Sequence, residues 1–406
     1  MPCHQSDVEP QLLPNNFFLG VDHMSTCLCL CLWSRHRDDS DAYNTAYVCM
    51  LKVITETLHV RERERERERE MAQSIERERV CVIGGGGYVA SWVVNFLLSK
   101  GYMVHATVRD PCDERKNGHL KKLKNASENL QLFKTDLLDY EGLCAAIAGC
   151  TGVFHVANLV PSDVPNPGAE LLEPAITGMR NAELLEPAIT GMRNVLNACL
   201  NSKVKKVVFV SSVGAVIFNP NWPEDQAMDE NCWTDGEYCK TAELWYWLAK
   251  TLAESEALEY ARRNEINIVT VCPSSCIGPT LQSTRTASSL NLLPHLKGGK
   301  ESVEDEDLVF ADVRDVADAI LLAYEKPEAE GRYICSSHTL RSRVLVEKLK
   351  SMYPNYNYPK SFTETKRDIK ISSKKLQNLG WKSRPLEETI VDTVKSYEES
   401  GLLGNE

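Results

Sequence analysis

The 406-residue chain is 43% hydrophobic and 25% charged, so it can bury one large core or two modest ones. Its formal net charge of −11 argues against a general nucleic-acid binder, because phosphate contacts need clustered Lys and Arg side chains. Its 15 cysteines form no Cys-x-x-Cys pair and no zinc-type Cys/His set, which indicates reduced thiols in the cytosol and no metal site.

Residues 1–78 do not resemble a domain. They mix pieces rich in Pro, Asn and Cys without a sustained period, and an Arg-Glu repeat follows at 61–70. Alternating charges give a helix no face to bury, so this segment is predicted to be disordered or a spurious extension, with the native start at Met71. Its most apolar run, Met24 to Trp33, is shorter than the roughly 20 residues of a membrane helix, and no membrane partner is expected.

A glycine-rich turn follows the first predicted strand. Val80 to Ile83 form a β-branched run, Gly84 to Gly87 a turn, and Tyr88 to Leu98 a helix with an apolar face. A turn without Cβ atoms lets a pyrophosphate approach the backbone, and the helix N-terminus then holds it. The spacing Gly84-x-x-Gly87-x-x-Ala90 departs from Gly-x-Gly-x-x-Gly but keeps small residues at the close approaches. The predicted cofactor contacts here are Gly84, Gly86, Gly87, Tyr88 and Val89.

Strand and helix patterns alternate from Val80 onward, which is typical of a doubly wound parallel sheet. We therefore predict a Rossmann-type α/β domain over 79–270 and a smaller substrate lobe built from 213–240 and 271–403. The candidate strands are 80–83, 102–108, 130–134, 152–157, 204–211 and 266–272.

The second strand ends at Arg109, where an NAD-preferring fold places an acid for the ribose 2′-hydroxyl. Arginine suits a phosphate, and Arg115 and Lys116 follow closely, so the sequence favours NADP(H) as the cofactor. A solvated basic loop is the alternative, because surface Lys and Arg are common.

The third and fourth strands also end in candidate cofactor contacts. Asp136 can accept from an adenine amino group, and a helix N-cap is the equally weighted alternative. His155 is interpreted as a packed core histidine rather than a catalyst. The predicted contacts at these strand ends are Asp136, Leu137, Val156 and Ala157.

A tandem duplication, AELLEPAITGMRN, occupies 169–194. Thirteen residues at about 100° each do not complete whole turns, so one helix cannot present both copies to the same groove. The second copy runs directly into the next strand and is assigned the native role, and the first is interpreted as an insertion.

The fifth strand brings Ser212 to the same carboxyl edge, and Tyr246 and Lys250 follow inside a helical pattern at 242–262. A spacing of four residues places phenol and ammonium on one helix face. A neighbouring cation favours the phenolate, as a proton donor to a reduced carbonyl group requires. The serine hydroxyl can hold the carbonyl oxygen.

With these residues the chain resembles the plant phenylpropanoid and flavonoid reductases of the extended short-chain dehydrogenase/reductase family, from Val80 to about Leu403. That family includes cinnamoyl-CoA reductases, dihydroflavonol reductases and related aldehyde reductases. The stretches that carry the resemblance include VCVIGGGGYVASW, VFHVA, VVFVSSVGAV, WYWLAKTLAE, GPTLQ and DVRDVADAILLAYEKPEAEGRYICSS.

The resemblance implies roles for individual residues. Ser212, Tyr246 and Lys250 match the family's catalytic triad, in which the lysine also holds the nicotinamide ribose. Asn194 matches an asparagine that completes a proton relay. Pro273 and Ser274 match residues that flank the nicotinamide.

One departure bears on the substrate. LWYWLAK, at 244–250, lacks the asparagine, cysteine and second tyrosine of the NWYCYGK signature of cinnamoyl-CoA reductases proper, which ranks free aldehydes above CoA thioesters. The predicted function is NADPH-dependent reduction of a small aromatic carbonyl compound. A dihydroflavonol or flavonoid ketone reductase, an epimerase or dehydratase, and a degenerate NADP-binding protein remain as alternatives. The oligomeric state is left open, with a monomer favoured.

Two further expectations concern apolar and sulfur-containing residues. Cys232 and Cys239 could form a redox-sensitive disulfide, although two buried free thiols are the favoured alternative. An apolar pocket for a flat ring is expected, with core packing as the alternative for each residue. Its candidate residues are Val213, Val216, Ile217, Phe218, Trp222, Leu290, Leu292 and Leu293.

Overall fold

The computed structural model describes residues 48, 52, 55–64, 78–157, 185–297, 302–365 and 368–403. The chain divides into two compact units, Met1–Ser74 and Ile75–Glu406. In the first unit, 55–64 form an almost fully exposed helix where the sequence predicts disorder. Opposite charges three residues apart support such a solvated helix in the part of the Arg-Glu repeat that is described. Apart from residues 48 and 52, the rest of 1–77, Met71 included, lies outside the described residues. The same holds for 158–184, which contain the first copy of the duplication and the start of the second.

The described residues of the second unit form three sheets. Their strands are β1 (Arg79–Ile83), β2 (Met103–Val108), β3 (Leu130–Lys134), β4 (Gly152–His155), β5 (Lys206–Val210), β6 (Ile268–Pro273), β7 (Ser275–Ile277), β8 (Ser302–Asp305), β9 (Asp307–Asp312), β10 (Gly331–Cys335), β11 (His338–Arg341) and β12 (Ser361–Glu364). The largest sheet is parallel and has seven strands in the order β10-β6-β5-β4-β1-β2-β3. A three-stranded sheet, β11-β9-β7, and a two-stranded sheet, β12-β8, accompany it.

Helices connect these strands. None of the described helices is long and apolar enough to cross a membrane. The helices of the second unit are α1 (Tyr88–Ser99), α2 (Glu114–Lys121), α3 (Ala126–Asn129), α4 (Tyr140–Ile147), α5 (Leu185–Asn201), α6 (Gly236–Thr241), α7 (Trp245–Asn264), α8 (Leu293–Lys297), α9 (Val313–Glu325), α10 (Ser342–Met352), α11 (Lys374–Asn378) and α12 (Leu386–Glu399).

Both faces of the seven-stranded sheet are covered. Helices α1 and α9 pack into one hydrophobic cluster, and α4, α5 and α7 pack into another. Strands covered on both faces read as continuous apolar runs, and β4, β5 and β6 are buried at every residue. The predicted doubly wound Rossmann-type fold is confirmed. Because parallel strands end at one edge, the carboxyl ends of β1, β4 and β5 lie side by side.

The six predicted strands agree with β1 to β6 to within two residues, and β7 to β12 have no counterpart among the predicted strands. The helical pattern at 242–262 is interrupted at its start, because Glu243 has a positive φ of 55° and separates α6 from α7. The helix therefore begins at Trp245 and continues to Asn264. The division into 79–270 and a smaller lobe stays a prediction.

The glycine turn after β1 packs tightly between the neighbouring strands. Gly84 has a φ of +82°, and a Cβ atom there would lie 2.8 Å from the Cα of Ala157. A Cβ atom on Gly85 would lie 2.7 Å from the Cβ of Ala106 on β2. Both distances are shorter than any normal contact, so the turn can approach the sheet only with glycine at these two positions.

Gly85→Ala is therefore expected to lower the free energy of unfolding by about 1–3 kcal/mol through overpacking, measured by denaturant unfolding. Gly118→Ala is the matched control, because its Cβ would meet only the flexible end of Glu114, 3.1 Å away, inside a helix where alanine is favoured. Equal stability of the two variants would contradict the predicted clash.

Candidate active site

The N-terminus of α1 faces the glycine turn. The N–H groups of Gly84 and Gly85 donate to Oγ1 and to the carbonyl oxygen of Thr107, each at 2.9 Å, which fixes the turn against β2. Gly87 caps the helix without a side-chain acceptor, so the N–H groups of Tyr88 and Val89 have no acceptor within the helix. Helix N–H groups left open in this way bind anions such as a pyrophosphate.

The side chain of Tyr88 points away from this anion site. Its hydroxyl is buried and donates to the carbonyl oxygen of Gly278 at 2.7 Å, and burial raises its pKa well above the ordinary value. Gly86 is less crowded than Gly84 and Gly85, but a Cβ there would still meet Oδ1 of Asn117 at 3.0 Å and Cγ1 of Val108 at 3.7 Å. The turn therefore has neighbours close to each of these glycines and presents only backbone to a ligand, which fits a dinucleotide.

The predicted basic residues lie directly after β2 and in the first turn of α2. Arg109, Arg115 and Lys116 are all exposed there. Lys116 lies 3.9 Å from the carboxylate of Asp113, which also caps α2. The hydroxyl of Ser283 donates to the carbonyl oxygen of Arg115 at 2.8 Å, so the segment after β7 reaches the first turn of α2. Exposed cations beside the glycine turn fit a phosphate on the adenosine ribose.

At the end of β3, the side chain of Asp136 stabilises the turn in which it lies. Its Oδ1 accepts from the N–H groups of Leu138 at 2.7 Å and Asp139 at 3.2 Å. The alternative that Asp136 caps the following helix is wrong, because Asp139 is the N-cap of α4. The carbonyl oxygen of the buried Leu137 accepts from Nδ2 of Asn194 at 3.0 Å, which links α5 to this strand end.

The ends of β4 and β6 are anchored by main-chain bonds. Val156 donates its N–H to the carbonyl oxygen of Ile83 at 3.2 Å, and Ala157 lies against Gly84. Pro273 is the last residue of β6, and the N–H of Ser274 donates to the carbonyl oxygen of Cys335 at 3.0 Å. Their predicted contacts with a cofactor stay predictions.

Ser212 and helix α7, which carries Tyr246, both lie next to the short segment Val213–Ala215. Oγ of Ser212 accepts from the N–H of Gly214 at 3.0 Å and caps the single turn Val213–Ala215. Tyr246 is half-buried in the first turn of α7, with its ring centroid 4.3 Å from that of Trp247. A Cβ atom on Gly214 would lie 3.3 Å from Oγ of Ser212 and 3.4 Å from the indole of Trp247. Serine and the start of α7 are therefore neighbours.

Lys250 lies one turn further along α7 and is buried. Its Nζ donates to the carbonyl oxygen of Val210 at 3.1 Å, two residues before Ser212. Burial lowers the pKa of Lys250 to about 8, and the nearby carboxylate of Glu254 opposes this shift. An ammonium has three N–H donors, and the bond to Val210 uses one of them.

A cavity of about 30 Å³ lies beside Lys250. Burial, with a smaller effect from the Lys250 cation, lowers the pKa of His155 to about 3. Its Nδ1 has no hydrogen-bond partner among the described residues. His155 is thus buried and neutral, in agreement with its interpretation as a packed core histidine. The residues that line the cavity are Leu137, His155, Ala157, Ala188, Met192, Phe209, Ala249, Lys250 and Ala253.

Two kinds of residue at this site have no role in the sequence-based prediction. Trp247 stacks on Phe218, with 6.0 Å between ring centroids and 23° between planes, next to Ser212. Glu254 and Arg332 form a fully buried ion pair, with 2.8 Å between Nε and Oε1. The spacing of four residues between Lys250 and Glu254 was the available signal for the carboxylate. No spacing pointed to Arg332.

Free thiols and core packing, the two alternatives stated for the sulfur-containing and apolar residues, describe most of them. Cys232 and Cys239 are free and buried, and burial raises the pKa of each thiol to about 11. Of the expected pocket residues, Phe218 and Trp222 are only partly buried. The others pack inside two different hydrophobic clusters, Val213, Val216 and Ile217 in one and Leu290, Leu292 and Leu293 in the other. Within the described ranges no group of His, Cys, Asp and Glu is arranged to hold a metal ion.

Residues 80–335 match the NAD dependent epimerase/dehydratase family. The chain belongs to this family. It is 40% identical to "Cinnamoyl-CoA reductase 1" of Petunia hybrida over 335 residues, which cover 82% of this chain and 95% of that protein.

Two solved structures share the fold. One is vestitone reductase from alfalfa (Medicago sativa), with a TM-score of 0.66, 29% identity, and coverage of 80% of this chain and 99% of that one. The other is the NADPH complex of Gre2 from Candida albicans, with a TM-score of 0.64, 26% identity and the same coverage. The predicted family resemblance, the extended Rossmann-type fold, the oxidoreductase class and NADP(H) as the cofactor are confirmed.

The lowered pKa of Lys250 is expected to make the free energy of unfolding depend on pH. Lys250 has a pKa of about 8 when folded and 10.5 ordinarily, so below pH 8 both states carry the charge and the cost of burying it is fully present. Between pH 8 and 10.5 the folded state releases the proton first, and stability rises.

Relative to Lys250→Met, the wild-type protein is therefore expected to gain free energy of unfolding as the pH rises through this window. Denaturant unfolding of both proteins from pH 6.5 to 10.5 measures the difference. A difference that does not change with pH would mean that Lys250 titrates normally.

Proposed function

We propose that the protein is an NADPH-dependent reductase of aromatic carbonyl compounds, with phenylpropanoid aldehydes as the preferred substrates. The proposal rests chiefly on Lys250, a buried cation bonded to the last residue of the strand that leads to Ser212, one turn after Tyr246. Burial of an ammonium group costs free energy, so buried lysines are uncommon outside functional sites. This arrangement supports proton transfer to an oxygen held between serine and tyrosine.

Each of the three residues has a distinct role in the proposed reaction. Ser212 donates a hydrogen bond to the carbonyl oxygen and orients it. Tyr246 donates a proton to that oxygen as negative charge develops on it. Lys250, charged below pH 8, stabilises the resulting phenolate. NADPH, when bound, supplies the hydride to the carbonyl carbon.

The relay proposed for Asn194 has a defined starting geometry. Its side-chain amide donates to the carbonyl oxygen of Leu137 at 3.0 Å, so Nδ2 is held against the strand end. The amide oxygen remains the group that can accept a hydrogen bond from a water molecule or from Lys250. Such a chain would return a proton to Tyr246 after each turnover.

Three aromatic side chains support an aromatic substrate. Trp247 lies between the rings of Tyr246 and Phe218, at centroid distances of 4.3 Å and 6.0 Å, and all three are partly buried. A flat ring stacks favourably against such a surface. Because the bulky indole stands where the NWYCYGK signature has cysteine, we rank slender free aldehydes above CoA thioesters.

Arg109→Ala is expected to raise KM for NADPH at least ten-fold and to leave KM for NADH within about two-fold, because only NADPH carries the 2′-phosphate that arginine can pair with. Steady-state kinetics with both cofactors measure this. Lys122→Ala serves as the control, because Lys122 is also an exposed cation in the connection from β2 to β3 but lies after α2. Equal effects of Arg109→Ala on both cofactors would mean that the arginine is structural.

Tyr246→Phe is expected to lower kcat by at least a hundred-fold while Kd for NADPH stays within about two-fold, since only the proton-donating hydroxyl is removed. Turnover assays and NADPH fluorescence titration measure the two quantities. Tyr356→Phe removes a hydroxyl that donates to Glu398 instead and should change neither. Retention of most of kcat in Tyr246→Phe would exclude tyrosine as the acid.

The substrate class is tested by kcat/KM for coniferaldehyde, phenylacetaldehyde, feruloyl-CoA and dihydroquercetin with NADPH. We expect at least a ten-fold preference for an aldehyde, because the aromatic surface suits a slender ring substrate. A preference for feruloyl-CoA or dihydroquercetin would overturn the ranking in favour of a thioester or flavonoid reductase. Absence of turnover with all four would favour a degenerate NADP-binding protein.

A further inference from the structure

The Glu254 carboxylate, one turn after Lys250, is completely buried and densely bonded. Oε1 accepts from Oγ1 of Thr270 at 2.6 Å and from Nε of Arg332 at 2.8 Å. Oε2 accepts from Oγ of Ser211 at 2.7 Å and from Nη2 of Arg332 at 3.3 Å. Sγ of Cys272 also donates to Oε1, at 3.3 Å. Both carboxylate oxygens therefore have donors, which come from β6, from β10 and from the residue that follows β5.

Arg332 is bonded just as fully. Its Nη1 donates to the carbonyl oxygens of Glu230 at 3.0 Å and Cys232 at 2.9 Å, and its Nη2 donates to that of Ala215 at 3.3 Å. The guanidinium also lies 3.5 Å from the ring centroid of Trp233. Arg332 thus joins β10 to the segment that follows Ser212 and to the loop before α6.

Stability alone explains such a pair poorly. The desolvation of two charges costs about as much as their attraction returns, and replacing buried ion pairs by packed apolar residues is often neutral or stabilising. A fully hydrogen-bonded ion pair does fix the positions of the residues that it joins, because each hydrogen bond has a narrow range of length and direction.

The bonds of this pair converge on the catalytic residues. Ser211 is the neighbour of Ser212 in the chain, and its bond to Glu254 ties the end of β5 to α7. Ala215 belongs to the turn that Ser212 caps. Glu254 itself lies on the face of α7 that carries Lys250, whose surroundings also include Cys272 and His155. One carboxylate therefore sets the distance between the strand that carries the serine and the helix that carries the lysine.

We propose that Glu254, held by Arg332, is a positioning residue that fixes Ser212 and Lys250 relative to each other through its bond to Ser211. The inference rests on the proposed reductase function. Both groups of the pair are buried and bonded to protein atoms, so the pair acts on the rate through the placement of the serine and the lysine.

Two variants separate positioning from stability. Ser211→Ala and Thr270→Val each delete one short hydroxyl bond to Glu254, but only Ser211 adjoins a predicted catalytic residue. We expect Ser211→Ala to lower kcat about ten-fold or more, because a small misplacement of catalytic groups is costly. It should also weaken NADPH binding several-fold through Lys250. Thr270→Val should change both by less than about two-fold at a similar loss of Tm.

Equal effects of the two variants on kcat and on Kd for NADPH would overturn the proposal and leave the pair a structural one. The wild-type enzyme is assayed alongside with the aromatic aldehydes. If it turns over none of them, the proposed function fails, and the positioning proposal is then decided by NADPH fluorescence titration. In that case, weaker binding in Ser211→Ala than in Thr270→Val supports the proposal, and equal binding overturns it.

Discussion

The close approach of the glycine turn to the sheet is the constraint on which the rest of the site depends. Gly84 lies against Ala157 at the end of β4, and Gly85 lies against Ala106 on β2, at distances that admit no side chain. β1 is hydrogen-bonded to both of these strands. The N-terminus of α1 is thereby fixed at the carboxyl edge of the sheet, the same edge to which β5 brings Ser212.

A second constraint is the burial of charge beneath that edge. Lys250 and Glu254 occupy successive turns of α7, where the sheet and helix exclude water. Burial lowers the pKa of the lysine, and the carboxylate opposes that effect. The carboxylate can remain there because Arg332 and the hydroxyls of Ser211 and Thr270 satisfy its oxygens. The polar groups under the site therefore depend on one another.

Local sequence signals predicted the parts of this arrangement that depend on neighbours in the chain. β-branched runs predicted the strands, the glycines predicted the turn, and a spacing of four placed Tyr246 and Lys250 on one helix face. The signals failed where long-range pairing decides. β10 joins β6 in parallel, with Arg332 opposite Thr270, and this register alone brings the guanidinium to Glu254. The positive φ of Glu243, which moves the start of α7, also had no signal in the sequence.

The residues that local signals predicted and those that they did not predict also differ in what they can contribute to the proposed reaction. Ser212, Tyr246 and Lys250 supply groups whose chemistry is evident from their types. Trp247 and Arg332 act through shape and geometry, so their importance depends on what they contact. Trp247 meets Phe218 because the segment after Ser212 folds back onto α7, and Arg332 holds that same segment through the carbonyl oxygen of Ala215. The aromatic surface and the buried ion pair thus both hold the segment that follows Ser212.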